Sequence, residues 1–198
     1  YLYEKIHRGS SAADGFSHKK TSVILQERKT DTMELQEKKK NRTEQKTDMQ
    51  NKEKALLTQL DEIAKQDLCL AFSGGVDSSL LLKLVMDASA KYGTKVYAVT
   101  FQTRLHPPCD LETATRVAKE VGAVHEVLFV DELEQEAIRY NPENRCYLCK
   151  HYLFGKLLEF ARDHGVTQVL DGTNEDDLHV YRPGRKALRE YGVISPLA

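Results

Sequence analysis

Leu68-Cys69-Leu70-Ala71-Phe72-Ser73-Gly74-Gly75-Val76-Asp77-Ser78-Ser79 decides the fold. Its first five residues are a short apolar run that ends at a serine and two glycines, the pattern of a buried strand stopped by a tight turn. The residues after it, through Tyr92, are apolar almost all round (Leu80, Leu81, Leu82, Leu84, Val85, Met86), as in a helix packed on a sheet, and Gly93 closes them. Strand, glycine turn and helix in that order make an anion site. The glycines let backbone N–H groups come close to a ligand, and the helix start adds free amides and the positive end of its dipole. Ser73, Ser78 and Ser79 add hydroxyl donors. Asp77 is unfavourable beside an anion unless a cation is shared, and Mg²⁺ bridging Asp77 and phosphate resolves that conflict. The alternative is a plain glycine turn with a Ser/Asp helix cap. The string is neither a Walker A motif nor a G-x-G-x-x-G fingerprint.

Outward from this loop, strand and helix alternate. Val96 to Phe101, His125 to Val130, Val169-Leu170 and Val193-Ile194-Ser195 read as further strands. Leu111 to Val121, about Lys150 to His164, and Gly184 to Tyr191 read as helices between them. Few hairpin signals occur, so the connections are right-handed crossovers. The expected fold is α/β, a doubly wound parallel sheet of five strands with helices on both faces. Ligands bind such sheets beyond the carboxyl ends of the strands. That places Thr100, at the end of the second strand, and Gly172-Thr173-Asn174, beyond the fourth, where a ligand binds, with Asp176 and Asp177 within reach of a metal. For the acidic pair a solvated loop is the equal alternative.

Residues 1–50 differ in composition: they are rich in Lys, Glu, Gln, Thr and Asp and poor in apolar residues, so they read as a tail or a solvated helix, and residues 51–198 as the folded domain. A helix begins near Lys52 (Leu56, Leu57, Leu60, Ile63, Ala64). The chain has 198 residues, 30% charged, with a formal net charge of -1, and no basic balance points to nucleic acid as a partner. No apolar run of about 18 residues occurs, so no membrane span is expected. Four cysteines suit a reduced, cytoplasmic protein better than a disulfide framework. Cys69 reads as a small core hydrophobe and Cys109 as a loop thiol. Cys146 and Cys149 form a C-x-x-C at the mouth of a helix, flanked by Arg145 and Lys150, a setting expected to lower a thiol pKa. They can hold an iron–sulfur cluster, share a zinc site, or remain unligated. His106, His125, His151, His164 and His179 show no metal-type spacing. Arg182 and Arg185 can grip a substrate phosphate or carboxylate through forked hydrogen bonds, or sit on the surface.

The string S-G-G-V-D-S-S resembles the signature of the PP-loop ATP pyrophosphatases. The resemblance implies pyrophosphate held in the loop by Ala71, Ser73, Gly74, Gly75, Val76, Asp77, Ser78 and Ser79, with attack on the α-phosphate. R-C-Y-L-C-K at 145–150, D-G-T-N-E-D-D at 171–177 and Y-R-P-G at 181–184 are similar to the LarE family of ATP-dependent sulfur transferases, over about Glu53 to Ala198. That resemblance implies adenylation of a carboxylate of pyridinium-3,5-biscarboxylic acid mononucleotide, then sulfur transfer, in building the nickel-pincer cofactor of lactate racemase. It implies ATP and Mg²⁺, catalytic roles for Asp77, Cys146 and Cys149, a [4Fe–4S] cluster completed by a third cysteine expected beyond Ala198, and a homo-oligomer. Both ends look like the edges of a fragment. The alternatives left open are an amide-forming synthetase, a tRNA thiolation enzyme, and a nucleotide-binding fragment without turnover.

Overall fold

The structure, a computed structural model, describes residues 11–104 and 108–198, with the side chains of 37–104 and 110–198. His106 lies outside the described residues. The chain divides between Glu53 and Lys54 into two units. The first carries most of α1 (Ser11–Ile63). Every side chain from 37 to 55 is exposed, and i,i+4 pairs such as Lys40–Glu44 run along this stretch.

In the second unit, four parallel strands run in the order β3-β2-β1-β4: β1 Leu68–Ala71, β2 Val96–Gln102, β3 Val124–Phe129 and β4 Gln168–Asp171. The helices are α2 Val76–Ser89, α3 Pro108–Val121, the single turn α4 Glu136–Arg139, α5 Arg145–Asp163 and α6 Gly184–Glu190. Side chains alternate between faces along each strand. Leu68, Leu70 and Ala98 join Leu60, Leu81, Leu82, Val85, Ala114 and Ala118 in one core layer. Cys69 and Val99 join Phe154, Leu157, Ala161 and Leu188 in the other. The sheet is thus covered on both faces, as a doubly wound fold requires.

Two expectations are corrected. The sheet has four strands, not five. Val193-Ile194-Ser195 lies beside β4 but contributes a single bridge, Leu170 to Ile194. Ile194 N–H donates to Val169 O and Ile194 O accepts from Asp171 N–H; Pro196, which has no N–H, interrupts the ladder, and past it only one further bridge, Asn174 to Leu197, forms. Cys109 belongs to the backbone of α3 rather than to a loop. Its side chain lies outside the described set. Among the described residues, no helix is long and apolar enough to cross a membrane.

Candidate nucleotide site

The chain leaves β1 toward β2 and β3, then returns to the far side of β1 to form β4. The loops after β1 and β4 therefore diverge, and this switch point is where doubly wound sheets hold ligands. A cavity of about 530 Å³ opens here. Of the sequence-predicted residues, Ala71, Ser73, Gly75, Val76, Asp77, Ser78, Thr100, Gly172, Thr173, Asn174, Asp177 and Arg182 line it. Gly74, Ser79, Asp176, Arg185, Cys146 and Cys149 are not among its lining residues.

The phosphate-type loop is internally tied. Ser78 Oγ donates to Gly75 O at 3.1 Å, Gly75 N–H reaches Ser73 Oγ at 3.3 Å, and the two seryl oxygens are 3.1 Å apart. Since the Ser78 proton is used on Gly75, Ser73 is the donor of that pair. The first intrahelical bond of this turn is Ser79 N–H to Gly75 O, so the amides of Val76, Asp77 and Ser78 precede the helical ladder. Gly74 has φ +76°, and a Cβ there would lie 2.8 Å from the backbone nitrogen of Ala114. Gly172 lets the β4 loop approach α2, since its Cβ would stand 3.0 Å from Ser78 N. Ser79 Oγ is buried without a hydrogen-bond partner.

Opposite the loop, Asn174 ties two carboxylates together. Its Nδ2 donates to Asp77 Oδ2 at 3.2 Å, its Oδ1 accepts Asp177 N–H at 3.0 Å, and its own N–H reaches Asp177 Oδ2 at 3.3 Å. Arg182 pairs with Asp177 at 2.9 Å, and Arg185 donates to Asp177 O at 3.1 Å. Asp176 is exposed and outside the cavity, whereas Asp177 faces it. Mg²⁺ typically takes one or two carboxylates plus phosphate oxygens rather than a full protein cage. The hard oxygen donors Asp77 and Asp177 fit that role, although no three such groups converge on a metal position among the described residues.

Thr100 closes another wall. Its hydroxyl donates to Phe72 O at 2.8 Å and lies 2.9 Å from His125 Nε2. The one hydroxyl proton is already used, so Nε2 carries its proton and donates to Thr100. Burial holds the His125 pKa below its ordinary value, in keeping with a neutral ring. His125 is thus a satisfied structural histidine.

Cys146 and Cys149 occupy the first turns of α5, one exposed and the other half-buried. The expected lowering of thiol pKa is reversed at Cys149: burial, then the nearby Glu132 carboxylate, push it up to about 11, outweighing Arg145. Cys149 Sγ donates to Glu132 Oε1 at 3.8 Å. Glu132 is fully buried and its Oε2 has no partner. Sequence reasoning missed it, because an acid within a charged stretch carries no sign of burial. The described residues offer no third ligand, so this pair does not by itself fit an iron–sulfur cluster or a zinc site. Cys69 is buried in the core, as expected, with its pKa pushed up to about 12 by burial. Lys150, read from sequence only as a neighbour of the thiols, proves to line the cavity together with Leu153 and Phe154.

These features define a parallel α/β domain with a glycine-turn phosphate loop at the switch point of its sheet. The family model of the PP-loop domain matches residues 45–144. The chain belongs to the PP-loop ATP pyrophosphatase family. It is 41% identical over 129 residues to an uncharacterized protein of Synechocystis sp., covering 65% of this chain and 47% of that protein. It is 34% identical over 132 residues to pyridinium-3,5-bisthiocarboxylic acid mononucleotide synthase of Lactiplantibacillus plantarum, covering 67% of this chain and 47% of the synthase. The chain thus spans about half the length of these curated relatives. The NH3-dependent NAD synthetase of Campylobacter jejuni shares the fold, with a TM-score of 0.51 and 19% identity over 65% of this chain and 58% of that one.

Proposed function

We propose that this chain binds ATP in the switch-point cavity and adenylates a carboxylate of a pyridinium dicarboxylate mononucleotide, releasing pyrophosphate, after which a sulfide-level donor attacks the acyl carbon, the bond to AMP breaks, and AMP leaves as the thiocarboxylate forms. The observation that carries this reading is the pairing of two walls: the Ser73–Ser79 loop faces the 171–177 turn, joined by the Asn174–Asp77 hydrogen bond. The choice of acceptor is supported by the 34% identity to a synthase whose name specifies the bisthiocarboxylic acid mononucleotide.

In this reading the amides of Val76, Asp77 and Ser78 cradle the leaving phosphates. Asp77 and Asp177 would hold Mg²⁺, which would supply charge neutralisation on the phosphate oxygens. A carboxylate oxygen of the acceptor attacks the α-phosphorus in line with the departing bridging oxygen. The bond to the β-phosphate breaks, and magnesium pyrophosphate and an acyl adenylate result. The walls that carry Ala71, Thr100, Gly172 and Thr173 hold the nucleoside end. Arg182 and Arg185 take the acceptor's own phosphate or carboxylate, exchanging their present bonds to Asp177 for it. Cys146 and Cys149, beside the cavity residue Lys150, are the thiols assigned to sulfur handling.

Incubation with ATP, Mg²⁺ and the dicarboxylated nucleotide is expected to release pyrophosphate and leave the acyl adenylate, with AMP released once a sulfide donor is added. ADP with inorganic phosphate would overturn the chemistry. Replacing both Cys146 and Cys149 by serine is expected to leave pyrophosphate release intact and abolish thiocarboxylate, as read by mass spectrometry.

A further inference from the structure

We propose that Lys150 is the cation that receives the phosphate chain of the nucleotide, and that Asp171 holds its ammonium in readiness beforehand; this rests on reading the cavity as an ATP site. The cavity wall is acid-rich, with Asp77, Asp110, Asp171 and Asp177, so a polyanion needs a protein cation there as well as a metal. Among the described residues, two cationic side chains line it, Lys150 and Arg182. Arg182 is already paired with Asp177 at 2.9 Å and is largely exposed. Lys150 is less exposed, and its ion pair, with Asp171, is looser.

Its stem is fixed and its head is not. A Cβ at position 184 would stand 3.3 Å from Lys150 Cβ and 3.5 Å from its Cδ, so the start of α6 packs directly on the lysine stem, with only glycine fitting comfortably. Nζ lies 5.2 Å from the Phe154 ring centroid, within cation–π range. Its acid partner, Asp171 Oδ2, is 3.8 Å away, too long for a good hydrogen bond. Both oxygens of that carboxylate are already occupied: Oδ2 accepts from Thr173 Oγ1 and Oδ1 from Ser195 Oγ, each at 2.5 Å. Asp171 is thus locked in place, with a side chain only 5% exposed. It attracts the ammonium without engaging its donors. Its three N–H donors can therefore turn onto a phosphate oxygen that enters the cavity. On bond cleavage the same ammonium meets the charge that accumulates on the departing pyrophosphate. No proton moves and no covalent bond to Lys150 forms.

The test is calorimetric binding of α,β-methylene-ATP, with Mg²⁺, and of adenosine to the full chain carrying Lys150, Lys150→Ala or Lys150→Arg. Lys150→Ala is expected to weaken the triphosphate analogue about 10-fold or more, while adenosine affinity changes less than about twofold. Lys150→Arg is expected to recover most of the loss. Unchanged analogue binding in Lys150→Ala would overturn the proposal, as would an equal loss for adenosine, which marks mere packing of the stem. Wild-type chain that fails to bind the analogue at all removes both this proposal and the ATP reading. Wild-type chain that binds it with the expected lysine dependence, yet releases no pyrophosphate from ATP and acceptor, removes the reaction and leaves the role of Lys150 standing.

Discussion

Replacing Gly74 by alanine sets two independent penalties against each other's absence. At φ +76° an L-residue costs about 1–2 kcal/mol, and a Cβ 2.8 Å from the Ala114 nitrogen meets backbone that cannot rotate away. Gly74→Ala is therefore expected to lower unfolding free energy in urea by at least about 2 kcal/mol. Because the loop must shift off α3, ATP affinity is expected to fall more than about tenfold. Undiminished affinity would mean that this turn does not shape the site. Gly74 was legible in the sequence because a glycine pair after an apolar run has few other uses. Lys150 was not: a lysine one helical turn past a cysteine says nothing of what its head faces until Gly184 and Asp171, both distant in sequence, are brought beside it. Glu132 was hidden for the same reason. Asp171 was visible as part of a string, but its locking by Ser195 depends on a contact 24 residues away.

Among the elements, α5 and the turn before it set the chemistry of the thiols. A 3₁₀ turn at Glu132–Glu134, capped by Asp131 accepting from Leu133 N–H, carries Glu132 under the first turns of α5. Burial and that carboxylate keep Cys149 protonated far above neutrality. Its alkylation by iodoacetamide, followed by peptide mass spectrometry, is expected to be slow at pH 8 and to climb with pH toward about 11. Glu132→Gln is expected to speed it at pH 8, since removing the negative charge acidifies the thiol. The folded pKa lies above the unfolded value of 9.0, so the unfolded chain loses its proton first. This contribution to stability is complete below pH 9 and is lost as pH rises toward about 11. The strands and long helices were legible from apolar periodicity. The four-stranded outcome was not, because Val193-Ile194-Ser195 has a strand's composition, and only its pairing beside β4, cut short at Pro196, limits it to one bridge.

At the scale of the whole molecule, the two units divide the work of burial unequally. Residues 37–55 expose every side chain, while the buried core among the described residues begins at Leu60. Deleting residues 1–50 is expected to reduce helical ellipticity without changing the thermal midpoint by more than about 2 °C or altering ATP affinity. A large loss of either would assign those residues a part in the fold or the site. The strand order β3-β2-β1-β4 also has a bearing on how the chain is made. Synthesis runs from the amino end, so the glycine turn and the β2 side of the cavity leave the ribosome early, whereas Asp171 to Arg182 emerge about a hundred residues behind the turn. On the proposed ATP reading, a growing chain therefore meets its nucleotide with half a binding site, and nucleotide would begin to stabilise the nascent domain only once its last strand has slotted in beside the first.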